Sequence, residues 1–173
     1  LRIEPLEAGS GLVFESEITG ATLPTEYFGP VEQGFKEAAQ SGVVAGHPVV
    51  DIKAILIDGS HHEVDSSEVA FKIASSMAFK EACQKASPFI LEPVMLMEVV
   101  TPEEFLGDVL GDLQSRRAQV QSMEPQAGLQ IVKAHVPLAE TFQYATILRS
   151  NTTGRASFTQ ELDHYAPAPM KDK

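Results

Sequence analysis

The 173-residue chain holds 24 Asp+Glu against 13 Lys+Arg, for a net charge of −11. That balance argues against a broad nucleic-acid surface, which needs clustered Lys and Arg. Hydrophobic residues at 43% suffice for one large core or two small ones. No apolar run approaches the roughly 20 residues that span a bilayer, and no basic segment followed by an apolar run marks a signal peptide.

In chain order, Leu1–Leu6 alternates like the tail of a strand, with no start methionine and no lead-in, so a cut chain is expected. After Gly9-Ser10-Gly11, residues 12–18 alternate again as a strand. Residues 27–40 predict a helix with Val31, Phe35 and Ala38 or Ala39 at helical spacing, and Gly42 just beyond it. Residues 47–60 predict a half-buried strand with Val50, Ile52, Ala54 and Leu56 on one face. Asp58-Gly59-Ser60 ends it. Asp65 and Glu68 then have capping-box spacing for a helix over 66–86, with Val69, Ile73 and Met77 as its apolar stripe. Cys83, the one cysteine, permits no internal disulfide and reads as a small buried thiol. Pro88 closes this first unit.

A second pattern begins at Glu92-Pro93 with a strand over 94–100 in which Met95 and Met97 read as core. Thr101-Pro102-Glu103-Glu104 predicts a capped helix to about Ser115. A strand over 120–123, a turn at residues 124–128 and a return strand over 129–136 form a hairpin. Pro137 is expected to open a helix through Phe142, Tyr144 and Leu148, closed by Gly154. The last strand is expected over 155–165, with a frayed end from Ala166. The order β-α-β-β-α-β is the ferredoxin-like arrangement.

Two constellations could carry chemistry. The loop Ser60-His61-His62-Glu63-Val64-Asp65 offers imidazoles and carboxylates. Its readings are a metal-dependent hydrolase using His61, His62 and Glu63, or an exposed probe that bonds or stacks on a partner. Adjacent loop residues seldom converge on one ion and no further cluster completes a site, so no metal is expected. Arg116-Arg117, with Arg149 and Arg155, could be surface charge at helix ends or an anion-binding set. Four of the five arginines lie between Arg116 and Arg155. No GxxxxGK[ST] string is present, so no Walker-type nucleotide site is indicated. His47, His135 and His164 lie in or beside strands and read as structural.

Longer strings then match a known family. AGHPVVDIKAILIDGSHHEVDSSEVAFKIASSMAFKEA (45–82) resembles the fourth domain of bacterial elongation factor G. LEPVMLMEVVTPEE (91–104), GDVLGDLQSRRAQV (107–120) and VPLAETFQYATILRSNTTGRASFTQELDHY (136–165) resemble its fifth. The resemblance implies an α+β chain of two domains. Residues 1–88 would be an N-terminally truncated domain IV, with a βαβ fold like the second domain of ribosomal protein S5. Residues 89–173 would be domain V, ferredoxin-like.

It also implies a ribosome-binding arm of a translational GTPase, promoting tRNA–mRNA translocation with its tip loop in the decoding-site A site. Gly59, Ser60, His61, His62 and Glu63 would form that loop, with His62 at the tip. The partners implied are the 16S decoding region, the 23S GTPase-associated region, ribosomal protein L11, peptidyl-tRNA and mRNA, with Arg116, Arg117, Arg149 and Arg155 as possible rRNA contacts. No catalytic residue and no cofactor is implied for these residues, GTP and magnesium belonging to the parent protein's GTPase domain. A cytoplasmic monomer without membrane attachment is expected. His61 stands where the family usually has tyrosine, and Ala118 and Gln143 where glycine is common. A recycling or ribosomal-protection paralogue of the same architecture therefore stays open.

Overall fold

The computed structural model describes residues 1–170. They belong to two compact units, Leu1–Ile90 and a second that starts at Leu91. Among the described residues no helix is long and apolar enough to cross a membrane.

The first unit contains β1 (Arg2–Pro5), β2 (Leu12–Ser16), α1 (Phe28–Ser41), β3 (Ile52–Leu56) and α2 (Glu68–Lys85). The sheet order is β1-β3-β2, with β3 antiparallel to β1 and parallel to β2. Parallel neighbours need a crossover, and α1 supplies it. Central β3 buries Ala54, Ile55 and Leu56. The strand is shorter than its alternation predicts, because Asp51 sits at φ 57 and leaves Val50 outside, 50% exposed. Asp51 instead accepts from Gly11 N–H through Oδ1 at 2.9 Å and from Leu6 N–H through its carbonyl at 2.8 Å.

α1 buries Val31, Phe35, Ala38 and Ala39, as its spacing predicts, and Gly42 ends it at φ 76. On α2 the predicted stripe is the outer one: Val69, Ile73 and Met77 are 64%, 55% and 67% exposed. The buried face is Ser75, Phe79 and Cys83. Phe79 meets Phe35 edge-on at 5.0 Å, and Ser75 Oγ donates to the Val31 carbonyl at 2.6 Å. Aromatic rings bury more area than Val, Ile or Met, so they decide which face turns in. The N-cap is Ser67, whose Oγ accepts from Ala70 N–H at 3.1 Å, so the capping box at Asp65 does not form.

The second unit contains β4 (Leu91–Pro102), α3 (Leu106–Ser115), β5 (Gln119–Gln126), β6 (Leu129–Pro137), α4 (Tyr144–Asn151) and β7 (Ser157–Pro167). The antiparallel sheet has the order β5-β6-β4-β7. The chain is thus α+β, and this unit is ferredoxin-like. Its core joins Met97, Val99, Val132, Ala134 and Val136 of the sheet to Val109, Leu113, Tyr144 and Leu148 of the helices.

Three expected boundaries move. Thr101 is not a cap but a buried residue of β4, and a 3-10 turn at Glu103–Phe105 precedes α3. The hairpin turns on Ala127 and Gly128, at φ 51 and φ 81, while Pro125 stays inside β5. Proline is tolerated there because β5 is an edge strand. Pro137 leads only into a 3-10 turn, Leu138–Glu140, and Gln143 at φ 61 separates it from α4. That left-handed backbone is the physical reason glycine suits position 143. The expected fray begins inside β7, which continues to Pro167, and residues 171–173 lie outside the described residues.

Candidate functional site

Because β2 and β3 run parallel, the loops they feed, residues 17–24 and 57–67, leave the same end of the sheet. The carboxyl ends of parallel strands are where α/β sheets commonly hold ligands. The two loops touch. Glu17 N–H donates to the Leu56 carbonyl at 2.9 Å, and His61 Nδ1 lies 3.3 Å from the Thr22 carbonyl. A carbonyl only accepts, so Nδ1 carries the proton in that contact. A methyl group on Gly59 would stand 3.2 Å from Leu23 Cδ2, so this position is closely backed. Leu23, 2% exposed, forms the floor with Val31 and Leu56.

His62 is held differently. Its N–H donates to Ser66 Oγ at 2.8 Å, while its carbonyl accepts from Ser66 N–H at 2.9 Å and Asp65 N–H at 3.2 Å. Both backbone polar groups are therefore tied to Asp65 and Ser66, just ahead of the α2 cap, and the side chain is left exposed. Ser60 and Glu63 are also exposed, and Gly59 and His61 are half-buried. Two features follow from this arrangement: a fixed backbone and a free imidazole.

The chemistry of the loop is narrow. From Asp58 to Glu68 it has four carboxylates and no Lys or Arg. Phosphate would be repelled, whereas base edges, hydroxyls and ring faces would not. His61, His62 and Glu63 do not gather their ligand atoms within the 4.8 Å that a shared ion needs, among the described residues. His61 is turned toward Thr22. The hydrolase reading has no assembled centre.

The arginines split by partner. Arg116 is 13% exposed; it bonds Asp112 at 2.8 Å and the Glu140 carbonyl at 2.6 Å, and lies 5.0 Å from the Tyr144 ring. Arg117 grips Glu92 through two bonds of 2.9 and 3.2 Å and Glu140 at 3.2 Å. The Glu92 hydrogen bonds are the largest cause raising its pKa further; burial opposes them, and the Glu140 hydrogen bond and the two carboxylate charges add to the rise. Arg155 pairs with Glu104 beside the Phe105 ring. Arg149 is exposed and forms no ion pair among the described residues. The four therefore do not make one patch of free cations.

Residues 19–23 also belong to the site, beyond the residues expected from sequence. Thr19-Gly20-Ala21-Thr22, small and polar after an alternating strand, is a loop signal. Only the parallel register shows that this loop lies against His61.

Comparison with known proteins adds family evidence. Residues 1–87 match the family model described as elongation factor G, domain IV, and residues 89–173 that of the elongation factor G C-terminus. A crystal structure of a protein from Thermus thermophilus is similar at 47% identity with a TM-score of 0.83. The match covers 96% of this chain but only 25% of that one.

Proposed function

The chain belongs to the elongation factor G family of translation factors, and on that premise we propose that it serves as the ribosome-facing part of a translocase. The loop over residues 57–67 is the tip that enters the decoding-site A site. It moves peptidyl-tRNA and mRNA onward and blocks their return. The observation that carries this reading is His62, with its backbone bonded at both polar groups and its ring exposed.

Gly59, Ser60, His61 and Glu63 complete the contacting loop, with His61 acting through the Thr22 loop. The acidic character of the tip supports brief contacts by hydrogen bonds and stacking, which an arm that must withdraw requires. The second unit contacts 23S rRNA near the L11 region. Arg149 leads that set, Arg117 and Arg155 contribute by exchanging their carboxylate partners, and Arg116 supports the fold. GTP chemistry belongs to other parts of the parent factor.

The test is His62→Ala in the full-length factor. One stacking or hydrogen-bonding contact is worth about 1–3 kcal/mol, or roughly 5- to 150-fold. Single-turnover translocation should slow within that range while GTP turnover is retained. Unchanged translocation would overturn the assignment of His62. Intact translocation with lost ribosome splitting or drug protection would favour the recycling or protection paralogue.

A further inference from the structure

We propose a binding site for zinc(II), or a divalent ion of similar ligand preference, formed by His135, Asp163 and His164 on the sheet of the second unit. The linear sequence groups only Asp163 with its neighbour His164: His135 is on β6, the other two are on β7, and β4 runs between them. The register creates the cluster. β7 pairs Leu162 with Met95 and His164 with Val94, which leaves Asp163 as the extra residue of a β-bulge. Neighbours on a regular strand point to opposite faces. A bulge re-aims one of them. Here Asp163 and His164 come to the same side, where His135 meets them.

The distances suit a metal. His164 Nδ1 is 2.6 Å and His135 Nε2 is 3.4 Å from Asp163 Oδ2, and the three donor atoms all lie within 4.8 Å of one another. Ligands about 2.0–2.2 Å from a tetrahedral zinc stand about 3.4 Å apart, so small side-chain rotations would seat the ion. The two imidazole rings meet edge to face at 5.2 Å, so the second histidine is already close. Two imidazoles and a carboxylate favour zinc over the oxygen-seeking calcium and magnesium. Side-chain exposures of 25%, 36% and 44% leave room for entry and for water as fourth ligand. The bound ion would tie β7, an edge strand, to β6 across β4. It would also hold the bulge in place.

Metal-stripped full chain is titrated with zinc against a chromophoric competing chelator at neutral pH, with hydrogen exchange confirming that each variant is folded. One zinc per chain is expected. Asp163→Asn and His135→Gln should each weaken binding at least about tenfold, while His61→Ala and His62→Ala should leave it unchanged. In the unaltered chain, paramagnetic nickel(II) should broaden the imidazole resonances of His135 and His164 first, a readout that depends on no variant. Absence of saturable zinc binding would mean that Asp163 simply accepts hydrogen bonds from two histidines, and would overturn the proposal. So would unchanged affinity in folded Asp163→Asn, or broadening centred on His61 and His62.

Discussion

A single methyl group on Gly34 tests whether α1 and α2 pack as closely as described. Gly34 faces the backbone of α2: an added Cβ would lie 2.2 Å from the Lys72 carbonyl oxygen and 2.9 Å from its carbon. Ordinary contact begins near 3.4 Å, so α2 must move by about 1 Å, and a backbone cannot swing aside as a side chain can. Overpacking of this kind costs about 1–3 kcal/mol. The movement also strains the Ser75–Val31 hydrogen bond, worth about 0.5–1.5 kcal/mol. Ala is the better helix former by about 1 kcal/mol. The net expectation for Gly34→Ala is a loss of about 1–3 kcal/mol.

Gly111→Ala isolates the propensity effect, because among the described residues nothing beyond its own helix turn lies within 4 Å of its added Cβ in the interior of α3; it should stabilise by about 0.5–1 kcal/mol. Hydrogen exchange read by mass spectrometry across urea gives each unit its own free energy. Gly34→Ala should lower protection in α1 and α2 and leave β4–β7 unchanged. Equal or higher stability would refute the close approach of the two helices.

Ser67→Ala should cost about 1 kcal/mol and expose the first turn of α2 to exchange, since Ser67 Oγ caps Ala70 N–H. Asp65→Ala should cost less by the same measurement. Tyr144→Phe should be neutral or stabilising by up to about 1 kcal/mol in urea titration, because the buried Tyr144 hydroxyl has no hydrogen-bond partner among the described residues. Burial, with the Asp112 charge, holds that phenol well above its ordinary 10.0. The unfolded chain therefore releases this proton first, and stability falls as pH rises above about 10. The Phe variant should lack that part of the fall.

Much of this protein is legible in its amino-acid sequence. Apolar spacing located α1, with Val31, Phe35 and Ala38 on its buried face. Turn residues separated the strands of the second unit well enough to give their order. The polar run after β3 marked His62 as exposed loop. These features depend on neighbours a few residues apart, and local sequence encodes them directly.

What required the tertiary structure depends on partners far along the chain. α2 carries apolar residues on more than one face, so the site of Phe35 on α1, not periodicity, decided that Phe79 turns inward and Met77 outward. Asp51 and Gln143 adopt left-handed backbone that their residue types do not announce. Arg116 and Arg117 look alike in sequence, and only Asp112, Glu140 and Glu92 reveal how each is held. The contact of His61 with Thr22, and the meeting of His135 with His164, arise from strand register. Register is set by pairing across the sheet, and no local stretch of residues contains it.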